Sequence, residues 1–252
     1  MLSIMDEIVW LASVASLVAG LATGFGALPV LFTKRVSDRL LDVMLGFAAG
    51  VMLAATSFSL LVPSIDLGGP WIAVFGLLLG AVLLHLIDRF IPHFSPAFGA
   101  EGPPSRLSRI WLFVLAITIH NFPEGLAVGV SFGSGDVAAG LVIAIAIGLQ
   151  NMPEGLAVAL PLLREGYSRR KALGYGTLTG LVEPLGGLLG AAIVVISKPL
   201  LPWGLAFAAG AMLFVIADEM IPESHRKGYE REATFGLIAG FVIMMLLDVI
   251  FG

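Results

Sequence analysis

Two nine-residue stretches carry the side chains from which chemistry could be built: HNFPEGLAV at 120–128 and QNMPEGLAV at 150–158. Asn121, Pro123, Glu124, Gly125, Leu126, Ala127 and Val128 recur as Asn151, Pro153, Glu154, Gly155, Leu156, Ala157 and Val158, with His120 answered by Gln150. Both copies lie within long apolar runs, where a charged side chain costs at least about 2.5 to 3.5 kcal/mol on insertion scales. Two carboxylates there need a compensating cation, and no Lys or Arg lies at mid-depth in any apolar run to supply one. The cation must come from solution, as metal or as protons. Residues four apart share a helix face, so His120 with Glu124, and Gln150 with Glu154, each offer an N or O donor one turn from a carboxylate. Asn121 and Asn151 lie about 100° round from these pairs and could complete one site or begin a second. Two antiparallel helices could bring one imidazole and two carboxylates to a common point. Pro123 and Pro153 each remove an N–H and crowd the carbonyl four residues back, at Ile119 and Leu149. Glu183, followed by Pro184, is a third mid-run acid expected to reach the same place. With no cysteine in the chain, such a donor set suits Zn²⁺, Fe²⁺, Mn²⁺, Cd²⁺ or Co²⁺ better than Cu⁺.

The elements that must position these residues are membrane helices. Of 252 residues 58% are hydrophobic and 13% charged, and the mean hydropathy is +0.99, which excludes an ordinary soluble domain. The net charge of -4 and the lack of a basic aromatic patch exclude a nucleic-acid partner. At about 20 apolar residues per crossing, eight spans are expected near 5–31, 37–63, 70–91, 108–132, 136–162, 172–197, 201–222 and 233–251, a single transmembrane domain embedded in the lipid bilayer. Thirteen of the fourteen Lys and Arg, Lys34 among them, fall in or beside alternate loops, with Lys198 alone opposite. The positive-inside rule puts those loops in the cytoplasm and both termini outside.

Small-xxx-small pairs at Gly20/Gly24, Gly46/Gly50 and Gly186/Gly190 predict close helix crossings. GFAAGVML at 46–53 resembles AFAAGAML at 206–213 on a helix of opposite direction, and spans four and five are also antiparallel, the arrangement of inverted repeats in carriers. The loop at 92–107 is rich in Pro, Gly and Ser and is expected to be mobile, with its His93 solvated or transiently binding metal. Asp218, Glu219, Glu223 and His225 near the inner end of span seven are either a cytoplasmic exit or merely interfacial. Asp248 is a weaker entrance candidate, and His85 among leucines is expected to be structural.

These motifs resemble the ZIP (Zrt/Irt-like) divalent metal transporters, and most of all their prokaryotic GufA-like branch. The resemblance spans essentially the whole chain. It implies an all-α bundle of three, two and three helices, often a homodimer, in the cytoplasmic (inner) membrane. It also implies a carrier of divalent metal into the cytoplasm and not an enzyme, with the metal as substrate and no prosthetic cofactor. By motif position, His120, Glu124, Gln150 and Glu154 would form one metal site. Asn121, Asn151 and Glu183 would form a second, sharing Glu124 and Glu154. Some relatives have Asp where Asn151 stands, which makes the second site the weaker by expectation. A metal-gated or proton-conducting channel is the rival reading. An intramembrane metalloprotease is disfavoured because HExxH is absent.

Overall fold

The computed structural model describes residues 4–33, 35–95 and 99–251; Lys34 and residues 96–98 of the 92–107 loop lie outside the described residues. The chain is helical almost throughout: α1 (Ile4–Ala27), α2 (Asp38–Ala54), α3 (Val62–Phe90), α4 (Arg109–Gly133), α5 (Val137–Arg164), α6 (Arg169–Gly180), α7 (Glu183–Ile196), α8 (Leu201–Val215), α9 (Ile221–Ser224) and α10 (Glu230–Phe251). Helix starts follow local chemistry. Ser37, Asp136 and Ser168 accept hydrogen bonds from first-turn amides of α2, α5 and α6, which otherwise lack partners. Lys198 Nζ donates to the carbonyls of Gly133 (2.7 Å) and Ser134 (3.1 Å), closing the C-terminus of α4.

Seven helical runs among the described residues are long and apolar enough to cross a membrane. One of them, Asp38–Phe90, is 53 residues long and covers both 37–63 and 70–91 of the sequence reading. Gly69 interrupts it with φ 79° and ψ 171°, a conformation glycine tolerates, and Pro70 follows. The two halves pack on different partners, α2 on α10 and α3 on α8. Another expected span, 172–197, is broken in the middle. α6 ends at Gly180 and α7 begins at Glu183, with Pro184 in its first turn.

The repeat at 46–53 and 206–213 extends much further than its small apolar residues suggest. FGLLLGAVLLHLID at 75–88 matches FGLIAGFVIMMLLD at 235–248 at the same offset of 160 residues. The packing repeats with it. Gly50 lies against the carbonyl of Leu237, and Gly210, 160 residues later, against that of Leu77; Gly240 meets Phe47 as Gly80 meets Phe207. α2 is followed by a π-helical segment at Ala55–Leu61, and α8 by one at Ile216–Met220. All three predicted glycine pairs sit at such crossings: Gly20/Gly24 against α6, Gly46/Gly50 against α10, and Gly186/Gly190 against α4.

α4 and α5 form the enclosed centre. Buried residues run along most of both, whereas α10 hides Ala233, Gly236, Gly240 and Met244. The 92–107 loop, whose composition reads as mobile, has paired strands at its start. It contains an antiparallel hairpin, β1 (His93–Ser95) on β2 (Gly99–Glu101), with Arg109 stacked 4.0 Å above the Phe94 ring.

Candidate metal site

His120, Asn121, Glu124, Gln150, Asn151, Glu154 and Glu183 are all buried in the middle of the bundle. The motif glycines explain how four helices converge there. A Cβ on Gly125 would collide with the backbone of Glu183, and one on Gly155 with the carbonyl of Thr23, so the two copies let α7 and α1 press directly on α4 and α5. The break between α6 and α7 then places Glu183 at a helix start facing the motif.

The polar groups fall into two abutting sets. In the first, Gln150 Nε2 donates to Glu124 Oε2 (2.5 Å) and to Asn151 Oδ1 (2.9 Å). Asn151 Nδ2 donates to Glu183 Oε1 (2.7 Å) and to the carbonyl of Ala19 (2.8 Å). Two carboxylates from α4 and α7 are thereby joined by two amides from α5. In the second set, His120 Nδ1 lies 3.0 Å from Glu219 Oε2. Glu154 stands between the sets, within Coulomb range of His120, Glu124 and Glu183.

The expected convergence of one imidazole and two carboxylates is therefore not what the structure contains. Among the described residues, no three His, Asp or Glu side chains are gathered closely enough to hold a metal ion. His120 turns toward Glu219 instead of completing a cluster with Glu124. Several ligating atoms nevertheless lack a hydrogen-bond partner among the described residues: Glu124 Oε1, Gln150 Oε1, both amide atoms of Asn121, Glu183 Oε2 and Glu219 Oε1. Buried polar atoms seldom stay unpaired without a functional reason.

Glu219 was legible only as a member of an acidic cluster near a helix end. The π-helical turn at Ile216–Met220 buries it, while Asp218 beside it is half-exposed. Glu223 serves a different end, pairing with Arg226 (2.8 Å) and Lys227 (3.5 Å). That bond holds the Arg226 guanidinium still further above its ordinary range. His225 bonds Ser224 and Thr234 (2.9 and 3.1 Å). Asp248 accepts a hydrogen bond from Ser59. His85 is exposed on α3, its ring 6.2 Å from that of Phe214 in an edge-to-face arrangement. His93, expected to be solvated or to bind metal transiently, is buried; its Nε2 lies 3.4 Å from Glu101 and 3.8 Å from the buried Asp88.

A cavity of about 270 Å³ reaches this region from one side of the bundle. Glu154 and Glu219 line it, Leu41, Phe113 and Leu160 are among its apolar walls, and Arg109, Arg164, Arg226 and Lys227 stand around it.

A family model described as "ZIP Zinc transporter" matches residues 99–248. The zinc transporter GufA of Myxococcus xanthus is 49% identical over 95% of this chain and 98% of its own length. The chain belongs to the ZIP family. Other relatives include zinc transporter ZIPB of Bordetella bronchiseptica, 46% identical over 92% of this chain and 78% of its own length. Zinc transporter ZIP11 of Homo sapiens is 39% identical over 90% and 93%. Both PEG motifs fall inside the segment that the ZIP model matches, as does Glu183, while α1, α2 and α3 lie before it.

Proposed function

We propose that this protein is a carrier, not an enzyme, that moves a divalent transition metal, Zn²⁺ foremost, across the cytoplasmic membrane into the cell. One observation carries the reading. A row of buried carboxylate, amide and imidazole groups sits at mid-bundle with oxygen atoms unspent and no Lys or Arg paired to it among the described residues. A mobile dication is the natural counter-charge for such a row. His120, Glu124, Gln150 and Glu154 are the proposed ligands, with Asn121, Asn151 and Glu183 beside them.

The same proposal takes the chain to cross the bilayer eight times, because 53 residues of helix extend about 80 Å, far beyond a hydrocarbon core of about 30 Å. Gly69 is then the turn between spans two and three. The 160-residue repeat and the exchanged pairing of α2 with α10 and α3 with α8 support two inverted three-helix units around α4 and α5, with both termini outside. The cavity, rimmed by Arg109, Arg164, Arg226 and Lys227, then faces the cytoplasm and is the exit. The homodimer belongs to this proposal too and is checked by the mass of the solubilised particle.

The test is uptake of Zn²⁺, Cd²⁺, Fe²⁺ and Mn²⁺ by proteoliposomes. Saturable uptake that Glu124→Ala abolishes is expected. Metal-evoked current of channel size, without saturation, would overturn the carrier in favour of a channel.

A further inference from the structure

Resting on the reading of this site as a metal site, we propose that it holds one metal ion and that the Asn151 amide takes the position a second would need. The two halves of the polar row are committed differently. Every polar atom of Asn151 is spent: Nδ2 donates to Glu183 Oε1 (2.7 Å) and to Ala19 O (2.8 Å), and Oδ1 accepts from Gln150 (2.9 Å). The backbone carbonyl of Ala19 can only accept, so the amide orientation is fixed by its surroundings.

A carboxylate oxygen and a backbone carbonyl are a pair that a hard cation would bridge at about 2.0–2.2 Å from the carboxylate. Here the two amide hydrogens bridge them. Turning the amide over to offer its oxygen to a metal would leave Ala19 O facing another acceptor and break the bond from Gln150. Gln150 differs in the respect that matters. Its Nε2 makes both of its bonds, and its Oε1 has no partner. Glu124 Oε1 and both amide atoms of Asn121 are equally unspent. Glu183 Oε2 is unspent as well, but the Asn151 amide stands between Glu183 Oε1 and Ala19 O and holds the pair a second cation would bridge. Glu183 acts at this end of the row as a positioning residue, tying the start of α7 to α5 through Asn151.

The experiment counts Cd²⁺ bound to the full purified chain after equilibrium dialysis, by elemental analysis, in wild type and in a variant carrying both Glu124→Ala and Glu154→Ala. The difference isolates the central site from peripheral ones such as His93. A difference of one ion per chain is expected. A difference of two overturns the single-ion inference and leaves the transport reading intact, whereas no difference overturns the site reading itself. Asn151→Asp supplies a carboxylate in place of the amide, so the difference should double to two; a folded Asn151→Asp chain still at one overturns the inference. Should that variant not fold, Glu183→Gln answers the same question. It keeps the one ion if Glu183 only positions, and losing the ion overturns the inference.

Discussion

Ser59 and Glu219 occupy equivalent positions in the 160-residue repeat, and so do Asp248 and Asp88. At one end of the bundle Ser59 donates a hydrogen bond to Asp248, and the pair closes on itself. At the other end no such bond forms. Glu219 turns to His120 at 3.0 Å, and both oxygens of Asp88 lack a hydrogen-bond partner among the described residues. The same backbone frame thus carries a self-contained neutral donor on one side and an acid engaged with the central site on the other. Duplicated helices supply the scaffold, and single residues decide which end is joined to the proposed metal path.

The contrast is tested hardest at Glu154, which links the central row to the end where Glu219 stands. Glu154→Ala should reduce zinc uptake to background while the purified protein keeps its helical circular dichroism; normal uptake would break the assignment. Glu219→Ser makes the engaged end resemble its repeat mate. Stripping His120 of its partner should lower metal affinity roughly tenfold, as outer-shell losses commonly do, and an unchanged affinity measured by competition with a chelating dye would remove Glu219 from the path.

A smaller effect comes from pH. Carboxylates and imidazole ligate only when deprotonated, so acidification from about pH 7.5 to about pH 5.5 should raise the half-saturating metal concentration. Uptake that strengthens with acid would favour proton-driven conduction instead. The smallest change is expected at the self-contained pair. Ser59→Ala should cost about 1 kcal/mol of stability and leave the uptake rate nearly untouched; a large loss of transport would give that end a part in the path.

Much of this was written openly in the sequence. Apolar runs separated by turn residues marked the helices, and the PEG repeat marked the buried polar row proposed as the site, because charge inside lipid is too costly to be incidental. The glycine pairs foretold crossings for a different reason: small residues let helix backbones touch. What escaped notice depends on contacts between distant segments. Helical periodicity put His120 and Glu124 on one face, but whether the imidazole meets that carboxylate or Glu219 is decided by a π-helical turn near residue 219. The burial of His93 comes from strand pairing in a loop whose composition reads as mobile. The repeat at 75–88 and 235–248 was available to inspection, in the pattern FGLxxGxVxxxLxD, yet hydrophobic similarity between membrane helices is easily discounted until backbone contacts such as Gly50 on Leu237 and Gly210 on Leu77 match.

The exchange of partners between the repeats also dictates when the molecule can be finished. α2 rests on α10, and α3 on α8, so the first repeat has no completed interface until the last helix has left the ribosome. With synthesis at about 5–20 residues per second, the 187 residues from Gly50 to Leu237, which it packs on, correspond to a wait of roughly ten to forty seconds. During it, the glycine face of α2, with Gly46 and Gly50 open and the Asp42 carboxylate awaiting Lys227, must be sheltered by lipid or by the insertion machinery. A nascent chain stopped before Glu230 would present that same face to any other glycine-striped helix in the membrane.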